Sequence, residues 1–253
     1  MADDAISREL AHHEELYSGF AQQHFAKSAV RAFRRDLVRH VLKATGADSR
    51  SHVLSLGCGI GDTELLLAPH VASVTGVDIS PSAIRQARAD AERSVISNAH
   101  FLEGSVDHLS LEKPFNVVIG VFFLHHLPND ALRRAAERIH DWLAPGGVFW
   151  ALDPNYYRLS GAIGKWIVPR LMRKYQTPDE RELKPGAVAD LFGSVGFETQ
   201  SSCYDFTSSP IGGLFPAWGA GYRAARIADE VLIRVPLLRR LGSNFELRAT
   251  RVK

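Results

Sequence analysis

Short unbroken apolar runs alternate with amphipathic stretches through the middle of the chain. The runs fall at residues 52–56, 73–77, 99–102, 115–123 and 147–152, and apolar positions at helical spacing between them predict helices over 62–69, 81–93 and 129–142. Runs without polar alternation suit strands buried on both faces, and their regular exchange with helices predicts a parallel sheet covered by helices. Ser80 before Pro81 reads as a helix cap, and Asn129 or Asp130 after Pro128 as another. Upstream, residues 5–45 read as helical; Val30, Phe33, Leu37 and Val41 supply a buried side and Gly46 the stop. Downstream, a helix over 185–194 leads past Gly196 into FETQSSCYDF, and NFELRATRV near the end alternates like an edge-type strand. Two segments, 156–184 and 207–243, interrupt this order. Both leave strands on the carboxyl side, where open α/β sheets bind ligands, so they are expected to roof a site there.

Composition narrows the picture. A chain of 253 residues, 45% hydrophobic, can bury one large core, so residues 1–253 are expected to form a single domain. Within it, 1–45 would be a helical lid, 46–155 a ligand-binding core, and 156–184 and 207–243 caps over an acceptor site. Lysines and arginines number 30 against 28 acids, a balance of +2, which gives no footing for nucleic acid. Arg31, Arg34, Arg35, Arg39 and Lys43 do cluster, but on the polar side of a helix whose other side is apolar. Cys58 and Cys203 make no disulfide framework, and the N-terminus is polar and acidic, so a reducing cytoplasmic location is expected. The caps carry Tyr156, Tyr157, Trp166, Tyr175, Phe215, Trp218 and Tyr222 among aliphatics such as Ile163 and Ile167, either as an apolar acceptor pocket or as the caps' own small core. The stretch GAIGKWIVPRLMRK, basic at intervals, could rest transiently on a membrane surface.

The most specific chemistry lies at residues 53–64, VLSLGCGIGDTE, followed by Asp78 at the end of VTGVDIS. A buried strand ending in a glycine turn lets a ligand approach the backbone closely, and a carboxylate at the tip of the next strand can accept both ribose hydroxyls. The pairing points to an adenosine-bearing ligand. A dinucleotide fingerprint wants a third glycine where Asp62 stands, and a carboxylate there would face a diphosphate with the wrong charge. No lysine follows the glycines, so a triphosphate-binding loop is disfavoured too. A cationic, phosphate-free ligand fits best.

With EGSVDHL at 103–109, FNVVIGVFFLHHLP at 115–128 and LAPGGVFWALDPN at 143–155 following in order, the chain resembles the class I S-adenosylmethionine-dependent methyltransferases. Within them it is most similar to small-molecule enzymes related to quinone biosynthesis. The resemblance implies a Rossmann-like α/β fold: a seven-stranded, mostly parallel sheet with helices on both faces, an antiparallel last strand and helical cap insertions. It implies S-adenosylmethionine as cofactor, held by Gly57, Cys58 and Gly59 along the methionyl portion, with the next helix N-terminus favouring its carboxylate and Asp78 taking the ribose. Ile79 and Val106 would sandwich the adenine and Val121 line the pocket. Ser105 stands where the family usually has an acid for the adenine amino group; Asp107 is two positions away. Tyr17 would cover the cofactor from the N-terminal segment, with His24 nearby.

His125 and His126 follow the fourth strand where acceptors approach the methyl, and an imidazole suits proton removal near neutral pH. One of them is the candidate base; a cap or cofactor contact is the alternative role. Asp153, Asn155 and Tyr156 are secondary candidates for orienting an acceptor. Adjacent histidine pairs without a third ligand predict no metal. The expected function is methyl transfer to oxygen, nitrogen or carbon of a small, apolar molecule. A nicotinamide-dependent oxidoreductase and a catalytically silent cofactor-binding module are the competing readings.

Overall fold

A computed structural model describes residues 26–111, 114–160 and 182–252. Its first helix, α1 (Ser28–Thr45), buries Val30, Phe33, Leu37 and Val41 as their spacing requires, together with Ala29 and Val38. Gly46 ends it in the left-handed conformation (φ 72°), which returns its N–H to the Leu42 carbonyl. Arg31, Arg35, Arg39 and Lys43 are exposed, the solvated face that an amphipathic helix presents. Arg34 instead turns inward.

Seven strands follow: β1 (His52–Leu56), β2 (Ser73–Asp78), β3 (Ala99–Glu103), β4 (Phe115–Val121), β5 (Leu143–Pro154), β6 (Phe197–Asp205) and β7 (Asn244–Arg251). The helices between them are α2 (Asp62–Leu67), α3 (Pro81–Arg93), α4 (Asn129–Trp142), α5 (Pro185–Ser194), α6 (Ser208–Leu214) and α7 (Gly219–Leu232). The sheet order is β3-β2-β1-β4-β5-β7-β6; β1 to β5 run parallel, and β7 runs antiparallel to both its neighbours. One face packs α4 and α5 against Leu54, Val118 and Phe149, the other packs α1 and α3 against Val53, Ile119 and Trp150. The order reverses between β1 and β4, and their carboxyl ends open the crevice that an open α/β sheet offers a ligand.

Four expectations change. β7 is not an edge strand: it lies between β5 and β6, burying Phe245, Leu247 and Ala249, and β6 takes the edge. β4 stops at Val121 rather than 123, because Phe122 adopts a left-handed φ of 54° and turns the chain out of the sheet. β5 extends to 143–154 because it pairs with both β4 and β7. Ser80 does cap α3, accepting from the Ala83 N–H at 3.1 Å, but α4 has Pro128 at its N-cap and no side-chain cap; Asp130 pairs with Arg134 instead.

The 207–243 segment leaves the carboxyl end of β6 as a helical hairpin and packs on α1. Tyr222 is fully buried there, edge-on to Phe33, its hydroxyl donating to Asp36 Oδ2 at 3.0 Å. Asp229, also buried, accepts from the backbone and hydroxyl of Thr207 and from the Ser208 N–H, closing the hairpin. So Tyr222 joins the core between α1 and the sheet, whereas Phe215 and Trp218 remain more than half exposed. Tyr156 and Tyr157 are about half exposed; Trp166, Tyr175, Ile163, Ile167 and the GAIGKWIVPRLMRK stretch lie outside the described residues. Among the described residues no helix is long and apolar enough to cross a membrane.

Candidate functional site

The glycine loop leaves β1 at Leu56 and curls under the crevice. Gly57 (φ 68°) and Gly61 (φ 76°) take left-handed conformations and also lack room: a Cβ on Gly57 would meet the Phe123 ring at 2.8 Å, and one on Gly61 the Phe101 ring at 2.7 Å. The backbone thereby packs directly on aromatic rings from β3 and from the turn after β4. Cys58 donates its N–H to the Val77 carbonyl at 3.0 Å, and its thiol turns into the core. Burial and the nearby carboxylates Glu64, Asp78 and Asp62 hold that thiol well above its ordinary value, so it contributes packing and no nucleophile.

Asp78 closes the loop from β2. Its Oδ2 accepts the Gly59 N–H at 2.8 Å and its Oδ1 the Ser80 N–H at 2.9 Å. Two bonds leave about half of a carboxylate's four acceptor positions for a ligand's hydroxyls. Ile79, half-buried, follows directly, and the Gly104 N–H is held by the Asp78 carbonyl at 2.9 Å, which brings the Ser105 and Val106 turn beside the same rim. Val106 is buried against the core with Leu109. Asp107 is committed elsewhere, since both its oxygens pair with Arg134 at 3.1 and 3.0 Å. Ser105, half-buried, stays at that rim.

Across the crevice, Val121 ends β4 half-buried, and the left-handed Phe122 redirects the chain into a short 3-10 turn, Leu124–His126. That turn places His125 Nδ1 2.8 Å from Asp153 Oδ1 at the carboxyl end of β5, with the His125 N–H on the same oxygen at 3.2 Å. His126 lies against His125 with ring centroids 4.0 Å apart and the rings tilted by 38°. Asp153 is fully buried and Asp153 Oδ2 has no hydrogen-bond partner. Burial pushes its carboxyl up to about 8, against the His125 N–H and the His126 ring, which pull it down. The other secondary candidates serve the fold: Asn155 donates to the Arg240 and Gly242 carbonyls, and Tyr156 packs on Tyr157 and Lys184.

A further buried acid carries no signal along the chain. Glu64, in the first turn of α2, accepts from Ser55 Oγ at 2.5 Å, while Arg34 of α1 pairs with Asp62 at 2.8 Å and donates to Thr63 Oγ1. Asp62 and Glu64 thus both lie in the first turn of α2. Tyr17 and His24 lie outside the described residues. Among the described residues no group of three histidines, cysteines or acids could hold a metal ion.

A methyltransferase-domain family matches residues 53–147, the span that carries the loop, Asp78 and His125. The chain belongs to the class I S-adenosylmethionine-dependent methyltransferases. Its cofactor is S-adenosylmethionine. Among relatives of this methyltransferase, the ubiquinone biosynthesis O-methyltransferase of Albidiferax ferrireducens is 31% identical over 66% of this chain and 66% of its own. The carboxy-S-adenosyl-L-methionine synthase of Chromohalobacter salexigens is 34% identical over 47% of this chain and 46% of its own, so the match spans about half of that relative's length. In fold, the chain is similar to the N-methyltransferase NodS from Bradyrhizobium japonicum in complex with S-adenosyl-L-homocysteine, with TM-score 0.62, 17% identity, and 96% and 98% of the two chains covered. The residues present fit the cofactor: a glycine loop whose two side chains are buried, leaving the backbone open to close approach, a carboxylate for ribose, and no lysine in the loop to oppose a positive sulfur.

Proposed function

We propose that this methyltransferase acts on a small, apolar acceptor bearing an ionisable oxygen, nitrogen or carbon, and that His125, oriented by Asp153, accepts the acceptor's proton. The buried His125–Asp153 pair beside the glycine crevice carries this reading. When bound, S-adenosylmethionine supplies an electrophilic methyl on a positive sulfur. Gly57, Cys58 and Gly59 would border its amino-acid portion, Asp78 its ribose, and Ile79, Ser105, Val106 and Val121 its adenine side. Asp153 fixes the ring of His125 through Nδ1, and the proton drawn from the acceptor would be carried on Nε2. His126 packs against that ring and helps to keep it in place. The exposed Phe215 and Trp218 are the described aromatics suited to an apolar acceptor's approach, and the likeness to a ubiquinone biosynthesis enzyme supports an apolar, quinone-like class. The free cysteines, Cys58 and Cys203, agree with a reducing, cytoplasmic location. Incubation with labelled S-adenosylmethionine and a host metabolite extract, followed by mass identification of the labelled product, tests the reading. It predicts a labelled small molecule and released S-adenosylhomocysteine; cofactor binding with no release above background would identify a silent binding module instead.

A further inference from the structure

Under the glycine loop lies a carboxyl group to which proton removal by His125 assigns no task. Glu64 is 2% exposed, with Ser55 Oγ on one oxygen and no hydrogen-bond partner for the buried Oε2. Ser55 stands two residues before Gly57 and Glu64 three after Gly61, so the pair ties the entry of the loop to its exit. The carboxyl lies close enough to raise the thiol of Cys58, the loop's second residue. A buried carboxyl oxygen without a donor is destabilising, and an arriving donor would recover that loss.

The charge around it selects that donor. Asp62 on the same helix turn, Asp78 from β2 and the Cys58 thiol face the same loop, and Arg34 from α1 is the cation set against them, itself bonded to Asp62 and Thr63. Among the described residues, three carboxyls face one guanidinium there, which favours a cationic ligand group. Of the two cationic centres of S-adenosylmethionine, the sulfonium has no hydrogen to donate, whereas the α-ammonium has three. We infer that Glu64 receives the α-ammonium of the cofactor's amino-acid portion, and so selects cofactors that carry it.

This inference rests on the cofactor reading and extends it to the methionyl end. Burial pushes Glu64 up to about 7, Asp62 adds to the rise, and Ser55 and Arg34 oppose it. An ammonium beside Oε2 draws that proton off, so binding releases a proton and tightens as pH rises through this range.

Calorimetry of the full chain with S-adenosylhomocysteine and with methylthioadenosine, which lacks the amino-acid portion, separates the possibilities when run on wild type and Glu64→Gln. Wild type is expected to bind S-adenosylhomocysteine roughly tenfold more tightly at about pH 8 than at about pH 6. Glu64→Gln should be roughly tenfold weaker than wild type at the higher pH and lose that excess pH dependence. Methylthioadenosine should bind both proteins alike, which also certifies that the variant's nucleoside site is folded. An unchanged pH slope in the variant, or equal loss of both nucleosides, overturns the inference. A wild-type chain that binds neither nucleoside overturns the cofactor reading itself, and the role of Glu64 with it.

Discussion

His125 and Asp153 come from different elements and meet through a hydrogen bond of 2.8 Å. If the imidazole accepts the acceptor's proton, His125→Ala should lower kcat by ~10²–10⁴-fold while leaving S-adenosylhomocysteine affinity intact. Asp153→Asn keeps the shape but loses the charge that orients the ring, so kcat should fall with little change in cofactor affinity. The wild-type rate should rise with pH to a plateau near the Asp153 value of about 8, because the pair must shed its proton before it can accept another. Stability follows the opposite course. Asp153 is raised from 3.8 to about 8 and Glu64 from 4.5 to about 7, so the native state keeps protons that the unfolded chain has already released. Their stabilisation of the native state is therefore greatest at the acidic end of these windows and is lost as pH rises through them. For Glu64 the whole change is on the order of 3 kcal/mol. Urea unfolding at several pH values should show wild type weakening toward alkaline pH and Glu64→Gln with a shallower slope.

At the scale of elements, the glycine loop and the turn after β4 depend on each other. Phe123 packs where a Gly57 side chain would sit, and Phe122 holds a left-handed φ of 54° that costs on the order of 1–2 kcal/mol. That strain ends β4 early and throws His125 toward Asp153. A reading based on hydropathy alone extends the strand through both phenylalanines, because nothing in their side chains signals a turn. Gly57→Ala should cost about 1–3 kcal/mol in unfolding free energy and abolish measurable cofactor binding, since both the left-handed backbone and the ring contact must yield. Ser80→Ala, which removes only the cap of α3, should cost about 1 kcal/mol and leave binding within a few-fold.

At the scale of the molecule, Glu246 on β7 joins three elements. His40 of α1 lies on its Oε2 at 2.5 Å, the Trp150 indole of β5 donates to the same oxygen at 2.9 Å, and Ser202 of β6 donates to Oε1 at 2.7 Å. Burial opposes its charge, yet the bonds from His40, Ser202 and Trp150 hold the carboxyl below its ordinary range. Glu246→Ala strands those partners and should destabilise the protein by roughly 3 kcal/mol in urea unfolding. S-adenosylhomocysteine affinity should survive under folding conditions, because no residue of the glycine loop or of Asp78's hydrogen bonds contacts this network.

The sequence by itself determined the strand–helix alternation, the glycine loop and Asp78, because these are written locally: apolar runs of strand length, glycines where side chains cannot fit, a carboxylate at a strand tip. It named His125 and Asp153 separately but could not join them, and it passed over Ser55, Glu64 and Glu246, whose partners lie on other elements. Tertiary structure alone decided that β7 is internal, that Tyr222 belongs to a packing core and that His125 meets Asp153. Pairing across a sheet and burial of a polar atom are properties of how distant segments meet, and no periodicity along the chain encodes them.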